Sequence, residues 1–262
     1  MPKIPKPPFV MVIAGLDPSG GAGIVADVLT LKEFDCHPSV IAATITSQTI
    51  SRYFCEFAVS QDFIMQQIAT ILSSTEHKAV KIGLLAAPPM ALAVSEALGE
   101  FKLPVVIDPI FKSTSGKQLA SDELVEAMKT RLFPLATTVT PNRSEISRLT
   151  GIDANDKIGA IEAGLNLCKE TGCKSAVITG VLTKTKAMDI LVRKSREPVI
   201  FTRKRLVLKK VRGTGCRFSS AIAARLAWGD DIETATRKAG DWLHQKLEKS
   251  LTPSAKGFSL IR

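Results

Sequence analysis

The residues Gly213-Thr214-Gly215-Cys216 open an apolar-periodic segment that runs to about Gly229. A Gly-x-Gly turn at a helix start aims backbone N–H groups that lack helical partners at one point, which suits an anion such as a phosphoryl group. Cys216 then falls in the first helical turn, where the helix dipole favours thiolate over thiol. An anion cradle with an ionisable group at its lip is suited to phosphoryl transfer. Taken alone, these four residues also fit a glycine turn followed by a small buried side chain.

A second glycine cluster lies in Ala14-Gly15-Leu16-Asp17-Pro18-Ser19-Gly20-Gly21-Ala22-Gly23-Ile24-Val25-Ala26-Asp27. Glycine is costly inside a helix, so Gly20, Gly21 and Gly23 at a helix start imply close approach to a ligand. Asp27 lies one turn after Gly23, on the face of Gly20, where a carboxylate accepts hydrogen bonds from a ligand amine or is simply solvated. The spacing matches neither a dinucleotide fingerprint nor a P-loop. Asp108, at a strand end, supports either the site and a magnesium shell or only the fold. His37, His77 and His244 share no metal-like spacing. Trp228 and Trp242 read as helix-packing anchors.

These residues need a scaffold, and the chain alternates strands with helices. Strand-like runs occur at 9–14, 40–46, 79–85, 103–107, 137–140 and 175–179. Helical spacing occupies 20–34, 63–72, 90–98, 121–132, 144–150, 158–170, 215–228 and 232–249. Such alternation predicts a mostly parallel sheet with helices on both faces. Two or three strands within 187–210 follow one another without helices, which predicts antiparallel strands at one edge. Ligands bind beyond the C-terminal strand ends in this class of sheet. Asp17, Asp108, Asn142 and Gly180 all follow predicted strands.

The chain has 262 residues, 45% of them hydrophobic and only 5% aromatic, enough for a large aliphatic core. We expect one domain over 1–262 with a Pro-rich tail at 1–8. Four prolines interrupt any signal-peptide core there, no run is long enough to cross a bilayer, and the expectation is a cytoplasmic protein. Five scattered cysteines fit a reduced setting, with Cys36, Cys55, Cys168 and Cys173 filling small apolar gaps. The net charge is +10, and eleven basic residues stand against two acidic ones between Lys184 and Arg212. Such a flank serves a polyphosphate, a nucleic acid or an acidic partner, or is a solvated face. Phe201 is the single aromatic residue in it, so the stacking platform of a single-strand binder is missing.

The run from Ala14 to Asp27, with Gln48 in Thr46-Ser47-Gln48-Thr49, resembles the hydroxymethylpyrimidine/phosphomethylpyrimidine kinases of thiamine biosynthesis, members of the ribokinase-like superfamily. Further matches follow in order: Val80-Lys81-Ile82-Gly83-Leu84, Ile107-Asp108-Pro109, Ser115-Gly116, Thr140-Pro141-Asn142 with Glu145, and Gly213-Thr214-Gly215-Cys216. The resemblance spans about residues 9–249. It implies a ribokinase-like three-layer sandwich that often dimerises. It also implies ATP- and Mg²⁺-dependent phosphorylation of a hydroxymethylpyrimidine and of its monophosphate, with pyridoxal kinase activity as the near alternative. Asp27 and Gln48 would bind the aminopyrimidine, and Gly15, Leu84 and Ile110 would line its pocket. Asn142 and Glu145 would help hold Mg²⁺ and its waters beside the triphosphate. The N–H groups of 213–216 would stabilise the transferred phosphoryl, and Cys216 would assist removal of the hydroxyl proton.

The departures from the family lie on the nucleotide side. Thr179-Gly180-Val181-Leu182 stands where Lys-Gly-Gly-His is usual, Thr114 replaces a lysine, Arg212 replaces a frequent His and Arg217 a frequent Thr. The C-terminal glycine segment is reduced to Ala255-Lys256-Gly257-Phe258-Ser259. Two outcomes are open. Either Arg212, Arg217 and Lys112 meet phosphates from new positions, with Thr179, Gly180 and Thr214 completing the nucleotide site. Or the nucleotide site has decayed and the chain is a pyrimidine-binding regulator.

Overall fold

A computed structural model describes residues 6–113, 116–208, 210–249, 251–253 and 258–261. Thr114, Ser115 and 255–257, singled out above, lie outside the described residues. The first half of the chain forms β1 (Phe9–Leu16), α1 (Gly23–Glu33), β2 (His37–Gln48), β3 (Tyr53–Ala58), α2 (Gln61–Ser74), β4 (His77–Ile82), α3 (Pro88–Leu98), β5 (Val105–Ile107) and α4 (Asp122–Ala127). It continues with β6 (Thr138–Val139), α5 (Arg143–Thr150), α6 (Lys157–Thr171), β7 (Ser175–Leu182), β8 (Lys186–Arg193) and β9 (Arg196–Lys204). The last elements are β10 (Lys210–Val211), α7 (Thr214–Ala227), α8 (Ile232–Lys249), β11 (Leu251–Pro253) and β12 (Phe258–Ile261).

Nine of these strands form one sheet in the order β3-β2-β1-β4-β5-β6-β7-β8-β9. From β2 to β7 the pairs are parallel, while β3 at one edge and β8 and β9 at the other run antiparallel. The layers follow from the two-residue period of β1. Met11 and Ile13 join Ile64, Ile68, Met90, Val94 and Leu124 in one core. Val10, Val12 and Ala14 join Ile24, Ile222, Ala235 and Ala239 in the other. This is the three-layer α/β architecture expected. Helix α7 is buried on nearly every face, from Cys216 to Leu226, because it lies between the sheet and α8. No helix among the described residues is long and apolar enough to cross a membrane.

Several boundaries differ from the sequence reading. Helix α1 begins at Gly23, not Gly20, because Gly20 takes a left-handed backbone (φ 72°) that ends helical continuity. The segment 121–132 is not one α-helix. It passes from α4 into a π turn at Met128–Leu132 and a 3₁₀ turn at Phe133–Leu135. Pro134 has no N–H for the i→i−4 ladder. Strand β3 went unseen because its side chains after Tyr53 are exposed and show no buried alternation. Cys55 is accordingly exposed on β3 and fills no core gap, whereas Cys36, Cys168 and Cys173 are buried.

The basic stretch is partly used inside the fold. Arg193 pairs with Glu233 at 3.0 Å, and Arg203 pairs with Asp189 at 2.8 Å and Asp241 at 3.0 Å. These contacts pin α8 onto β8 and β9, where the guanidinium also donates to the Arg237 carbonyl.

Candidate active site

A cavity of about 380 Å³ opens beyond the C-terminal ends of the parallel strands. Strand order divides its wall. Gly15 lies at the end of β1 and Asp17 just after it, Thr46 and Gln48 end β2, and Leu84 follows β4; with Tyr53 of β3 they form one half. Thr140, Asn142, Ser144, Glu145 and Thr179, at the ends of β6 and β7 and the start of α5, form the other. Between them lie Asp108, Ile110 and Lys112 after β5, and the turn 213–216.

The turn and the N-terminal glycines are built against each other. Gly213 is left-handed (φ 72°), and a Cβ there would run into the Gly21 carbonyl. Gly23 is left-handed too (φ 56°), and its Cβ would meet the Gly15 carbonyl. The N-terminal glycines therefore serve first to let two backbone segments touch, which the sequence reading had ascribed to a ligand. The result is the N-terminus of α7 held at the cavity floor, with Thr214, Gly215 and Cys216 in its first turn.

Asp108 sits under that turn. Its carboxylate oxygens lie 3.7 Å from where a Gly215 Cβ would stand, and Ser219 Oγ donates to Oδ2 at 3.4 Å. Burial pushes the Asp108 carboxyl up to about 6, against the opposing pull of Lys81. Cys216 is pushed up to about 12 by burial, with Asp27 and Asp108 adding to it and Lys81 opposing. This corrects the expectation of a thiolate. A helix N-terminus favours negative charge by about 1 kcal/mol, less than desolvation and two neighbouring carboxylates cost it. Burial therefore favours the neutral thiol of Cys216, and the Asp108 carboxylate is close enough to act on it electrostatically.

Asp27 departs further from its expected place. It is fully buried and does not line the cavity. Lys81 Nζ donates to its Oδ2 at 2.8 Å and Ser220 Oγ to its Oδ1 at 2.8 Å. Lys81 is itself fully buried, and the Asp27 charge holds its ammonium above the usual lysine range. Asp27 is thus the counter-ion of a lysine beneath the floor, not a ligand contact on the wall. The signal for Lys81 lies in the chain itself, since a lysine inside the apolar run Ala79–Leu85 demands a buried partner.

Both arginines also miss the phosphate side. Arg212 turns back to the β1–β2 half, where Nη2 donates to Asp17 Oδ2 and Gln48 Oε1, each at 2.9 Å, and Nη1 donates to the Ile50 carbonyl at 3.1 Å. Arg217 donates to the carbonyls of Gly21 (3.2 Å) and Ile261 (3.3 Å), so it ties the glycine loop to β12. Neither guanidinium replaces the missing nucleotide-side residues. Thr179 lines the cavity and pairs with Asn142 in a short parallel bridge, but Gly180, in the β7 bulge, lies outside the lining. Among the described residues lining the cavity, the cation besides Arg212 is Lys112, between the two halves.

Asn142 and Glu145 form the capping box of α5. Asn142 Oδ1 accepts from the N–H of Ser144 and Glu145, and Glu145 Oε2 accepts from the Asn142 N–H at 2.8 Å. The box accounts for both residues structurally, yet both also line the cavity. Burial, with the charge of Asp108 in second place, pushes the Glu145 carboxyl up to about 8. Burial and the neighbouring Asp108 charge disfavour the ionised form of Glu145, and its hard oxygens suit a divalent cation that would offset that cost. No cluster of three or more His, Cys, Asp or Glu exists among the described residues, so water and a bound ligand would have to complete the shell.

Tyr53 is a wall residue the sequence reading missed. Its hydroxyl bonds Glu56, and Lys117 lies 4.7 Å from its ring centroid. Aromatic β-formers after the Thr49–Arg52 turn were the available signal for a hairpin.

The family model for phosphomethylpyrimidine kinase matches residues 17–260. The chain belongs to the phosphomethylpyrimidine kinase family. A hydroxymethylpyrimidine/phosphomethylpyrimidine kinase of Aquifex aeolicus is 32% identical over 258 residues, covering 97% of this chain and 99% of the relative. Among solved structures, an ADP complex of Bacillus subtilis pyridoxal kinase superposes with a TM-score of 0.87 at 29% identity, covering 98% of this chain and 97% of the other. A phosphomethylpyrimidine kinase from Clostridium difficile 630 superposes with a TM-score of 0.79 at 29% identity, covering 92% and 100%. The floor of the cavity brings together Asp108, Cys216 and the N-terminus of α7.

Proposed function

We propose that the protein phosphorylates 4-amino-5-hydroxymethyl-2-methylpyrimidine with ATP and Mg²⁺, and then converts the monophosphate to the diphosphate, in thiamine biosynthesis. The observation that carries this reading is the floor. A helix N-terminus, a thiol and a carboxylate meet where the β1–β2 half of the cavity joins the β6–β7 half. The β1–β2 half takes the pyrimidine, with Gly15, Leu84 and Ile110 as walls and Gln48 as the polar contact. The other half takes the triphosphate, with Asn142, Thr179, Thr214 and Lys112 beside it. Bound Mg²⁺ would supply charge neutralisation of the phosphates, held through Glu145 and waters, with Asp108 left as the proton acceptor.

The chain's own groups account for the proton. The acceptor hydroxyl passes its proton to Cys216 Sγ as the thiol proton passes to Asp108, while the acceptor oxygen bonds to phosphorus and the bond to the ADP oxygen breaks. The N–H groups of the 213–216 turn stabilise charge on the moving phosphoryl. Incubation with ATP, Mg²⁺ and the pyrimidine alcohol is expected to yield the monophosphate and then the diphosphate. Tight pyrimidine binding without turnover would instead indicate a regulator. Faster turnover of pyridoxal than of the pyrimidine would move the protein to the pyridoxal branch.

Two further results are expected. Glu145→Gln keeps the helix cap acceptor but removes charge, and should raise the Mg²⁺ concentration for half-maximal rate about tenfold. The second concerns pH. Asp108 and Asp189 are pushed up to about 6 and Glu145 to about 8, so between about pH 4 and 8 these three carboxyls hold more protons in the folded chain than in the unfolded chain. Their contribution to stability is present below the ordinary carboxylate range and is lost as pH rises through these values. The melting temperature without Mg²⁺ should therefore fall from pH 5 to pH 8, and Mg²⁺ with a nucleotide should recover part of the loss at pH 8. A melting temperature that rises over this range without Mg²⁺ would contradict the assignment.

A further inference from the structure

Arg212 stands directly before the phosphate-facing turn but is 3% exposed and bonded to the opposite half of the cavity. We infer that Arg212 and Thr46 select the acceptor ring by fixing which way round the Gln48 amide faces the cavity. The inference rests on reading this half as the site of a heteroaromatic alcohol.

The fixing follows from donor and acceptor counts. The Thr46 hydroxyl gives its single proton to the Leu16 carbonyl at 2.8 Å. Its oxygen can then only accept, and Gln48 Nε2 donates to it at 2.9 Å. At the other end a guanidinium can only donate, and Arg212 Nη2 donates to Gln48 Oε1 at 2.9 Å. Turning the amide over would set N–H against N–H at Arg212 and oxygen against oxygen at Thr46. Asp17 holds the guanidinium from a third side at 2.9 Å, and Ser19 fixes Asp17 through its N–H (2.9 Å) and hydroxyl (2.7 Å). The amide is left with one N–H and one carbonyl lone pair in a set order along the wall.

That order discriminates between rings. The hydroxymethyl arm must reach the floor at Cys216, so a ring cannot turn over to suit the amide. An aminopyrimidine offers an amine N–H beside a ring-nitrogen acceptor, the complement of the two remaining Gln48 positions. A pyridine alcohol with an aldehyde beside a phenolate offers two acceptors and leaves one Gln48 position unpaired. Sites built around a hydrogen bond reject rings that cannot make it, because the buried group is left unsatisfied.

The test compares kcat/KM for the pyrimidine alcohol and for pyridoxal in wild type, Arg212→Met and Thr46→Val, alongside binding of each ring measured by calorimetry without ATP. Thr46→Val carries no change of charge, so it stands even if Arg212→Met, which strands Asp17, fails to fold. The pyrimidine-to-pyridoxal ratio is expected to fall about tenfold in both variants, mainly through a higher KM for the pyrimidine, with kcat within about threefold. A ratio unchanged in Thr46→Val and in folded Arg212→Met would overturn the inference. Absence of turnover with the same shift in binding ratio would sink the kinase reading and uphold the selection. Failure of wild type to bind either ring would overturn the selection itself.

Discussion

Cys216→Ala is expected to slow phosphorylation of the pyrimidine alcohol by about a hundredfold or more, while phosphorylation of the monophosphate slows by less than about tenfold. Pyrimidine affinity should change little. The two acceptors differ in the proton. An alcohol must lose one as its oxygen attacks, and the floor offers it Cys216 with Asp108 beyond. A phosphomonoester with second pKa near 6 is already largely ionised at neutral pH and has none to lose. The thiol is pushed up to about 12 and Asp108 to about 6, so the proton finally rests on Asp108. Asp108→Asn should therefore imitate Cys216→Ala on the alcohol. In wild type the alcohol step should gain rate as pH rises through about 6, where Asp108 ionises. Equal slowing of both steps in Cys216→Ala would show that the residue positions phosphate and moves no proton. An unchanged rate would leave it structural.

Lys81→Met should lower stability by about 3–5 kcal/mol, seen as a fall in melting temperature of about 10 °C. Lys81 and Asp27 are both fully buried and 2.8 Å apart, and methionine would leave the Asp27 charge with Ser220 as its direct side-chain partner. The double variant Lys81→Met/Asp27→Leu should regain much of the loss, because a buried pair replaced by apolar groups costs far less than a buried pair halved. A second readout ties the pair to the site. Lys81 lowers the proton affinity of both Asp108 and Cys216, so its loss should move the alkaline-rising limb of the rate profile to higher pH. A folded Lys81→Met protein with wild-type melting temperature and profile would refute both roles.

Much of the fold could be read along the chain because its signals are local. Strand β1 announces itself by apolar content, α5 by Asn142 three residues before Glu145, and α6 by Gly172 at its end. Edge strand β3 is only faintly written, in its aromatic β-formers, since its register depends on pairing with β2 and not on burial of its own side chains. The residue types at the floor were legible too, since Gly213, Gly215, Cys216 and Asp108 each sit at a strand end or helix start.

What the chain determines by itself is therefore the parallel sheet, the family and the glycine turn that opens α7, all carried by spacing within a few residues. Only tertiary structure decided the direction of long or ionisable side chains. Arg212, beside the turn in sequence, reaches Asp17 at a separation of 195 residues instead of a phosphate. Asp27, on the expected helix, faces inward to Lys81, and Cys216 is a thiol, not a thiolate. Charge, burial and partner choice depend on which distant segments close around a group, and that information is absent from its neighbours along the chain.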